Sequence, residues 1–156
     1  MIDLIITSRA LAGKILNNPN RHIDFLVSIG CPDRDPPSGY HRFPPERKLK
    51  LTFYDYIGEP QDYAQIAQQP YPPTVEDVQR ILFFVQNNIR PAYIDGLTRP
   101  IVLVHCEVGI SRSTATAQII LEELGLSEQE AIAEVLRVRP QAIPNQYLLQ
   151  LYRATI

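Results

Sequence analysis

Neither sign of charge dominates this 156-residue chain, in which 15 Lys and Arg stand against 17 Asp and Glu for a net charge of -2. Nucleic acids and anionic membrane surfaces recruit a basic excess, so neither is expected as a partner, and any anion site must be local. Cysteine and histidine are scarce as well, at two and three residues. Cys31, Cys106, His22, His41 and His105 show no Cys-x-x-Cys or His-x3-His spacing, so neither a metal site nor a cofactor is expected. No Gly-Lys-Ser/Thr occurs, which excludes a Walker-type nucleotide loop. The apolar start is interrupted by Asp3 and followed by Arg9 and Lys14, so neither a secretory segment nor a membrane span fits. A cytoplasmic location with free thiols is the expectation. Repeats, low-complexity tracts and linkers are missing too. One domain over residues 1–156, acting as a monomer, is therefore expected, and 45% hydrophobic residues suffice for its core.

What is present is an alternation of short strands and helices. Residues 2–8 and 24–29 read as apolar strands around a helix over 11–18 that ends at Asn-Asn-Pro, a βαβ rhythm. A loop over 30–45 leads to a third strand over 49–55, and 56–73 reads as a long loop with at most one helical turn. Thr74-Val75-Glu76-Asp77 is a capping box ahead of a helix whose buried face is Val75, Val78, Ile81, Leu82, Val85 and Ile89. After a turn at Asp95-Gly96, Ile101 to Val104 runs without alternation, as a central parallel strand covered on both faces does. Residues 113–124 resume as helix and stop at Gly125; Ser127 to Glu130 is a second capping box; Pro144-Asn145 opens a last helix with Tyr147, Leu148, Leu151 and Tyr152 inward. The expected fold is an α/β sandwich around a mostly parallel sheet flanked by helices.

Chemistry in such sheets collects at the carboxyl ends of the strands. There stands His105-Cys106-Glu107-Val108-Gly109-Ile110-Ser111-Arg112-Ser113, running from the most buried strand into a helix. With Gly109 free to adopt positive φ, the backbone N–H groups of Glu107, Val108, Gly109, Ile110, Ser111 and Arg112 can turn inward as an anion nest, which the helix N-terminus reinforces. A tetrahedral phosphate fits such a cup. At its base, amides, helix dipole and the Arg112 guanidinium favour the thiolate form of Cys106. Arg112 offers a planar fork for two phosphate oxygens, which Lys could not. Ser113 can donate a hydrogen bond that helps the thiolate leave.

The string His-Cys-x-x-Gly-x-x-Arg-Ser resembles the signature of the cysteine-based protein tyrosine and dual-specificity phosphatases. The tail Arg139-Pro140-Gln141-Ala142-Ile143-Pro144-Asn145 resembles the Pro-Asn segment that follows it in the dual-specificity group. The resemblance covers residues 48–152 and implies a phosphotyrosine-phosphatase-like three-layer sandwich. It further implies that Cys106 attacks phosphorus through a phosphocysteine intermediate, that Arg112 binds the phosphoryl group, and that Asn145 steadies the loop from behind. The family also uses an aspartate acid on an upstream loop. Family spacing points to Asp77, but its place in the Thr74 capping box explains that carboxylate as a partner of backbone amides. Asp55, ending a strand, is preferred; Asp62, in the irregular loop, is the alternative.

A Cys-His protease dyad is disfavoured because strand neighbours point to opposite faces, which leaves His105 as a core histidine bonded to nearby backbone. A nucleophile elbow fails because Ser113 replaces the second Gly and no histidine follows residue 105. Cys31 reads as a part-buried small side chain, with a disulfide to Cys106 as the weaker option. Arg42, Arg47, Lys48 and Lys50 read as a solvated face. Tyr40, Tyr54 and Tyr56 are candidates to line the entrance. The expected substrate is a phosphorylated protein or small phosphomonoester, phosphotyrosine first, with tolerance for phosphoserine or phosphothreonine. Two alternatives stand beside it: a non-catalytic phosphate-binding module, and a phosphatase for a non-protein monoester. A polyanionic substrate is disfavoured by Glu107, Val108 and Ile110 where Lys or Arg would be expected.

Overall fold

A computed structural model describes residues 2–95 and 99–156. Among the described residues, four parallel strands, β1 (Asp3–Ser8), β2 (Phe25–Gly30), β3 (Lys48–Thr52) and β4 (Ile101–Cys106), form a sheet in the order β1-β4-β2-β3. Their parallel registers pair Ser8 with Cys106 and Ser28 with His105, so every strand delivers its carboxyl end to the same edge. The sheet is thus wholly parallel.

Strand alternation sorts the apolar side chains onto two faces. Leu4, Ile6, Phe25, Val27, Ile29, Leu49, Leu51, Val102 and Val104 enter the larger core. That core is closed by α3 (Val75–Phe84), α5 (Arg112–Glu123), α6 (Glu128–Val138) and α7 (Gln146–Thr155). Leu26 and Leu103 enter a smaller core with Ala12 and Ile15 of α1 (Arg9–Leu16). Burial on both sides is why β4 reads as an unbroken apolar run. Among the described residues no helix is long and apolar enough to cross a membrane.

Both capping boxes form, with Thr74 accepting from the Asp77 amide and Ser127 from the Glu130 amide. Gly125 takes φ +111 after α5. Ser8 caps α1, which therefore begins at Arg9 rather than Leu11 and ends at Leu16. The third strand ends at Thr52, short of the expected Asp55. Beyond it the backbone changes partners: the Phe53 carbonyl accepts from Arg112, and the Tyr54 amide donates to Tyr71. Residues 60–62 form a 3-10 turn that runs directly into α2 (Tyr63–Ile66), so the long loop carries more helix than its period suggested.

The helix after Thr74 is regular only to Phe84; Val85–Ile89 is π-helical and leads into α4 (Arg90–Asp95). Val78, Ile81, Val85 and Ile89 are buried as expected, whereas Val75, the first residue of the helix, is 43% exposed. Leu82 and Leu151 pack only at the margin of the core. Asp95 belongs to α4, and Gly96 of the expected turn lies outside the described residues.

Candidate functional site

Cys106 is the last residue of β4 and is 1% exposed. Alternation sends its side chain to the larger core and His105 to the opposite face. There His105 Nδ1 lies 3.0 Å from the Cys106 carbonyl and Nε2 lies 2.7 Å from Ser28 Oγ. A carbonyl only accepts, so Nδ1 carries the proton and Nε2 accepts from the Ser28 hydroxyl. Burial pushes the His105 pKa below its ordinary value, which keeps the ring neutral.

The loop after Cys106 has its carbonyls tied on the outside. The Glu107 carbonyl accepts from the Arg9 amide at 3.1 Å. Those of Val108 and Gly109 accept from the Arg139 guanidinium at 3.1 and 2.9 Å. The Ile110 carbonyl accepts from the Ile143 amide at 2.9 Å and Thr114 Oγ1 at 2.6 Å. That of Ser111 accepts from the Asn145 amide at 3.0 Å, with the Thr114 hydroxyl, whose one proton goes to Ile110, also 3.0 Å away. In a planar trans peptide the N–H points opposite its carbonyl, so the amides of residues 108–112 turn inward. The Gly109 amide meets Cys106 Sγ at 3.2 Å. Gly109 has φ +74, and a Cβ there would stand 2.5 Å from the Thr7 carbonyl carbon, so both conformation and space demand glycine.

Three further side chains complete the cup. Ser113 Oγ lies 3.1 Å from Cys106 Sγ. Arg112, only 4% exposed, donates from Nη1 to the Phe53 carbonyl at 2.7 Å and to Cys31 Sγ at 3.2 Å, while its buried Nε has no partner. An unmatched buried guanidinium N–H is costly, and it leaves Arg112 a donor free to take an acceptor. Asp55 Oδ1 accepts from Ser111 Oγ at 2.7 Å and from Asn145 Nδ2 at 2.8 Å. The same Asn145 donates to the Tyr56 carbonyl and caps α7 through the Leu148 amide, so one residue ties the Asp55 segment to the loop and the last helix.

The other two carboxylates are engaged locally. Asp62 Oδ2 accepts from the Glu59 amide at 2.9 Å, and Asp77 Oδ2 accepts from Thr74 N at 2.8 Å and Oγ1 at 2.9 Å. Tyr54 lines a hollow beside the loop with Cys31, Asp33, Arg34 and Glu107, and packs edge-on against Tyr56 and Tyr71. Tyr40 instead packs on the smaller core beneath the Lys48 ammonium, 4.1 Å from its ring, so it does not accompany Tyr54. Arg47 lies over Phe43, and Arg42 is exposed beside Asn17. Cys31 and Cys106 are both free thiols.

Sequence reading missed the support given by Arg139 and Thr114. It also missed the contacts of Glu107 with Arg9 and Arg34, at 3.3 and 2.7 Å. The Arg139-Pro140 tail was visible as a motif, but no local pattern joins residues 9 and 34 to residue 107.

No known protein-family profile matches the chain, and no curated protein matches it in sequence. Solved structures do. Human DUSP28 is 18% identical with a TM-score of 0.61, over 97% of this chain and 90% of that one. PTPMT1 in complex with PI(5)P is 15% identical with a TM-score of 0.63, over 98% and 89%. Tk-PTP in its active form is 19% identical with a TM-score of 0.57, over 98% and 90%. Likeness at this identity is a likeness of fold: this chain shares with those structures a three-layer α/β sandwich, a parallel central sheet flanked by helices.

Proposed function

We propose that the chain is a cysteine-dependent phosphatase that hydrolyses phosphate monoesters, phosphotyrosine first, with tolerance for phosphoserine and phosphothreonine. It would act in the cytoplasm as a monomer without a cofactor. One observation carries the reading: Cys106 Sγ accepts from the Gly109 amide at the foot of a loop whose carbonyls at 107–111 are bonded away from it, and the buried Arg112 that ends that loop keeps an unpartnered Nε.

In the first step the Cys106 thiolate attacks phosphorus and the bond to the leaving oxygen breaks. Asp55 gives that oxygen a proton, and phosphocysteine forms. The Asp55 oxygen not already held by Ser111 and Asn145, Oδ2, is the one that can carry the proton. In the second step water attacks phosphorus, Asp55 takes its proton, and the S–P bond breaks. Ser113 donates a hydrogen bond to the departing thiolate across the 3.1 Å contact. The inward amides and the Arg112 fork hold the three non-bridging oxygens through both steps, where negative charge is concentrated.

Turnover of p-nitrophenyl phosphate tests the proposal. Phosphate release by the native chain, undiminished by chelator and absent in Cys106→Ser, is the expected result. Equal turnover in the two proteins would refute the nucleophile. Phosphate binding without turnover by the native chain would assign the non-catalytic module instead.

A further inference from the structure

Glu107 directly follows the cysteine, and its carboxylate is held by two arginines from remote parts of the chain. Arg34, in the loop after β2, donates a hydrogen bond to Oε1 at 2.7 Å; Arg9, at the start of α1, stands 3.3 Å from Oε2 through Nε as an ion pair without hydrogen-bond geometry. The side chains are 30%, 36% and 47% exposed for Arg9, Glu107 and Arg34, so the cluster lies at the rim and is neither buried nor free in solvent. Arg9 Nη1 is further tied to the Asp35 carbonyl at 3.3 Å. The hollow beside the loop is lined by Arg34 and Glu107 together with Asp33 and the Tyr54 ring. Glu107 thus pairs with both arginines of this cluster, and the Asp33 carboxylate opposes their surplus charge.

We infer that the Arg9–Glu107–Arg34 cluster is a charge filter that reserves the site for a phosphate monoester carrying no second phosphate nearby. This deepens the phosphatase reading and rests on it. The amides and Arg112 recognise one phosphoryl group, while Arg9 and Arg34 at the rim are already paired with Glu107, so a second phosphate meets a carboxylate there. An aromatic carrier suits the same hollow, since the Tyr54 ring that lines it is uncharged and is braced edge-on by Tyr56 and Tyr71. The carboxylate also works from close range without contacting the scissile phosphate, so Glu107 is a specificity-determining residue and not a catalytic one.

The test compares kcat/KM for p-nitrophenyl phosphate and for inositol 1,4,5-trisphosphate. Glu107→Gln removes one negative charge and frees both arginines, a change on the order of tenfold for an extra phosphate at the rim. The trisphosphate-to-monoester ratio should therefore rise about tenfold, and the gain should shrink as salt is raised, which a purely structural defect would not reproduce. Adding Arg9→Ala and Arg34→Ala to Glu107→Gln should cancel the gain, and the same two arginine substitutions with Glu107 intact should lower the ratio below that of the native chain. A ratio unchanged within twofold across these variants overturns the filter. Should no variant, nor the native chain, turn over either compound, the phosphatase reading fails. The filter is then judged by the same ratio in equilibrium binding of inorganic phosphate and the trisphosphate.

Discussion

Gly109→Ala puts the loop geometry under direct test. At φ +74 an alanine pays about 1–2 kcal/mol for the left-handed conformation alone. Its Cβ would also stand 2.5 Å from the Thr7 carbonyl carbon, 2.7 Å from the Thr7 oxygen and 2.9 Å from the Ser8 nitrogen. These are backbone atoms of β1, paired through Ser8 with Cys106 itself, so no flexible side chain can move aside. Forcing an extra carbon into such a place costs about 1–3 kcal/mol. Together the substitution should destabilise the chain by about 3 kcal/mol, which for this size corresponds to roughly 6–12 °C in Tm. Relief comes most easily by moving residues 108–110, and a displacement of about 1 Å there should cost about 10² in kcat. Thermal unfolding and steady-state turnover of p-nitrophenyl phosphate read the two effects. Gly109→Asn separates them: asparagine tolerates positive φ better but carries the same Cβ, so it should recover only the conformational part. An alanine variant with native Tm and a rate within threefold would refute the described loop.

Further outcomes follow from the same contacts. Asp55→Asn should lower kcat by about 10² or more and flatten the acid-dependent limb of the rate, with less effect on esters whose leaving oxygen needs no proton; a native rate would refute Asp55 as the acid. Arg112→Lys keeps the charge but loses the planar fork, and should lower kcat/KM by about 10², while a loss under threefold would show that charge alone suffices. His105 has its pKa lowered by burial, so between that value and the ordinary value of about 6.5 the unfolded chain binds more protons than the folded one. Stability should therefore be level above that pH and fall as pH drops through the window. Chemical denaturation of His105→Asn should lack that component of the slope, and an identical slope would contradict the neutral, buried ring.

The elements that were legible are those governed by near neighbours. Thr74 and Ser127 form capping boxes because the partner carboxylate is three residues away, and Gly125 ends α5 because only its own backbone must turn. Alternation along β4 correctly separated His105 from Cys106. Failures came where a distant group competed for the backbone: β3 stops at Thr52 because Arg112 and Tyr71 take the carbonyl and amide of the Phe53–Tyr54 peptide, and Arg112 lies far along the chain. The π-helical Val85–Ile89 segment had no composition to betray it, since its period differs from an α-helix only over a few residues. Val75 shows the limit of periodicity, which finds the face of a helix but not where along it burial begins.

The amino-acid sequence by itself determined the βαβ frame, the buried strand over Ile101 to Val104, which the structure extends to Cys106, and the loop with Gly109 that follows it. Those properties depend on side-chain period, β-branching and one glycine's freedom, all short-range. Only the tertiary structure decided which carboxylate stands at the loop, since Asp55, Asp62 and Asp77 are chemically alike and differ in what folds against them. It alone tied the loop carbonyls outward through Arg9, Arg139, Ile143 and Asn145, left Arg112 Nε unmatched, and set Glu107 between Arg9 and Arg34. Each of those contacts joins residues separated by tens of positions, and the four-stranded parallel sheet brings them to one edge.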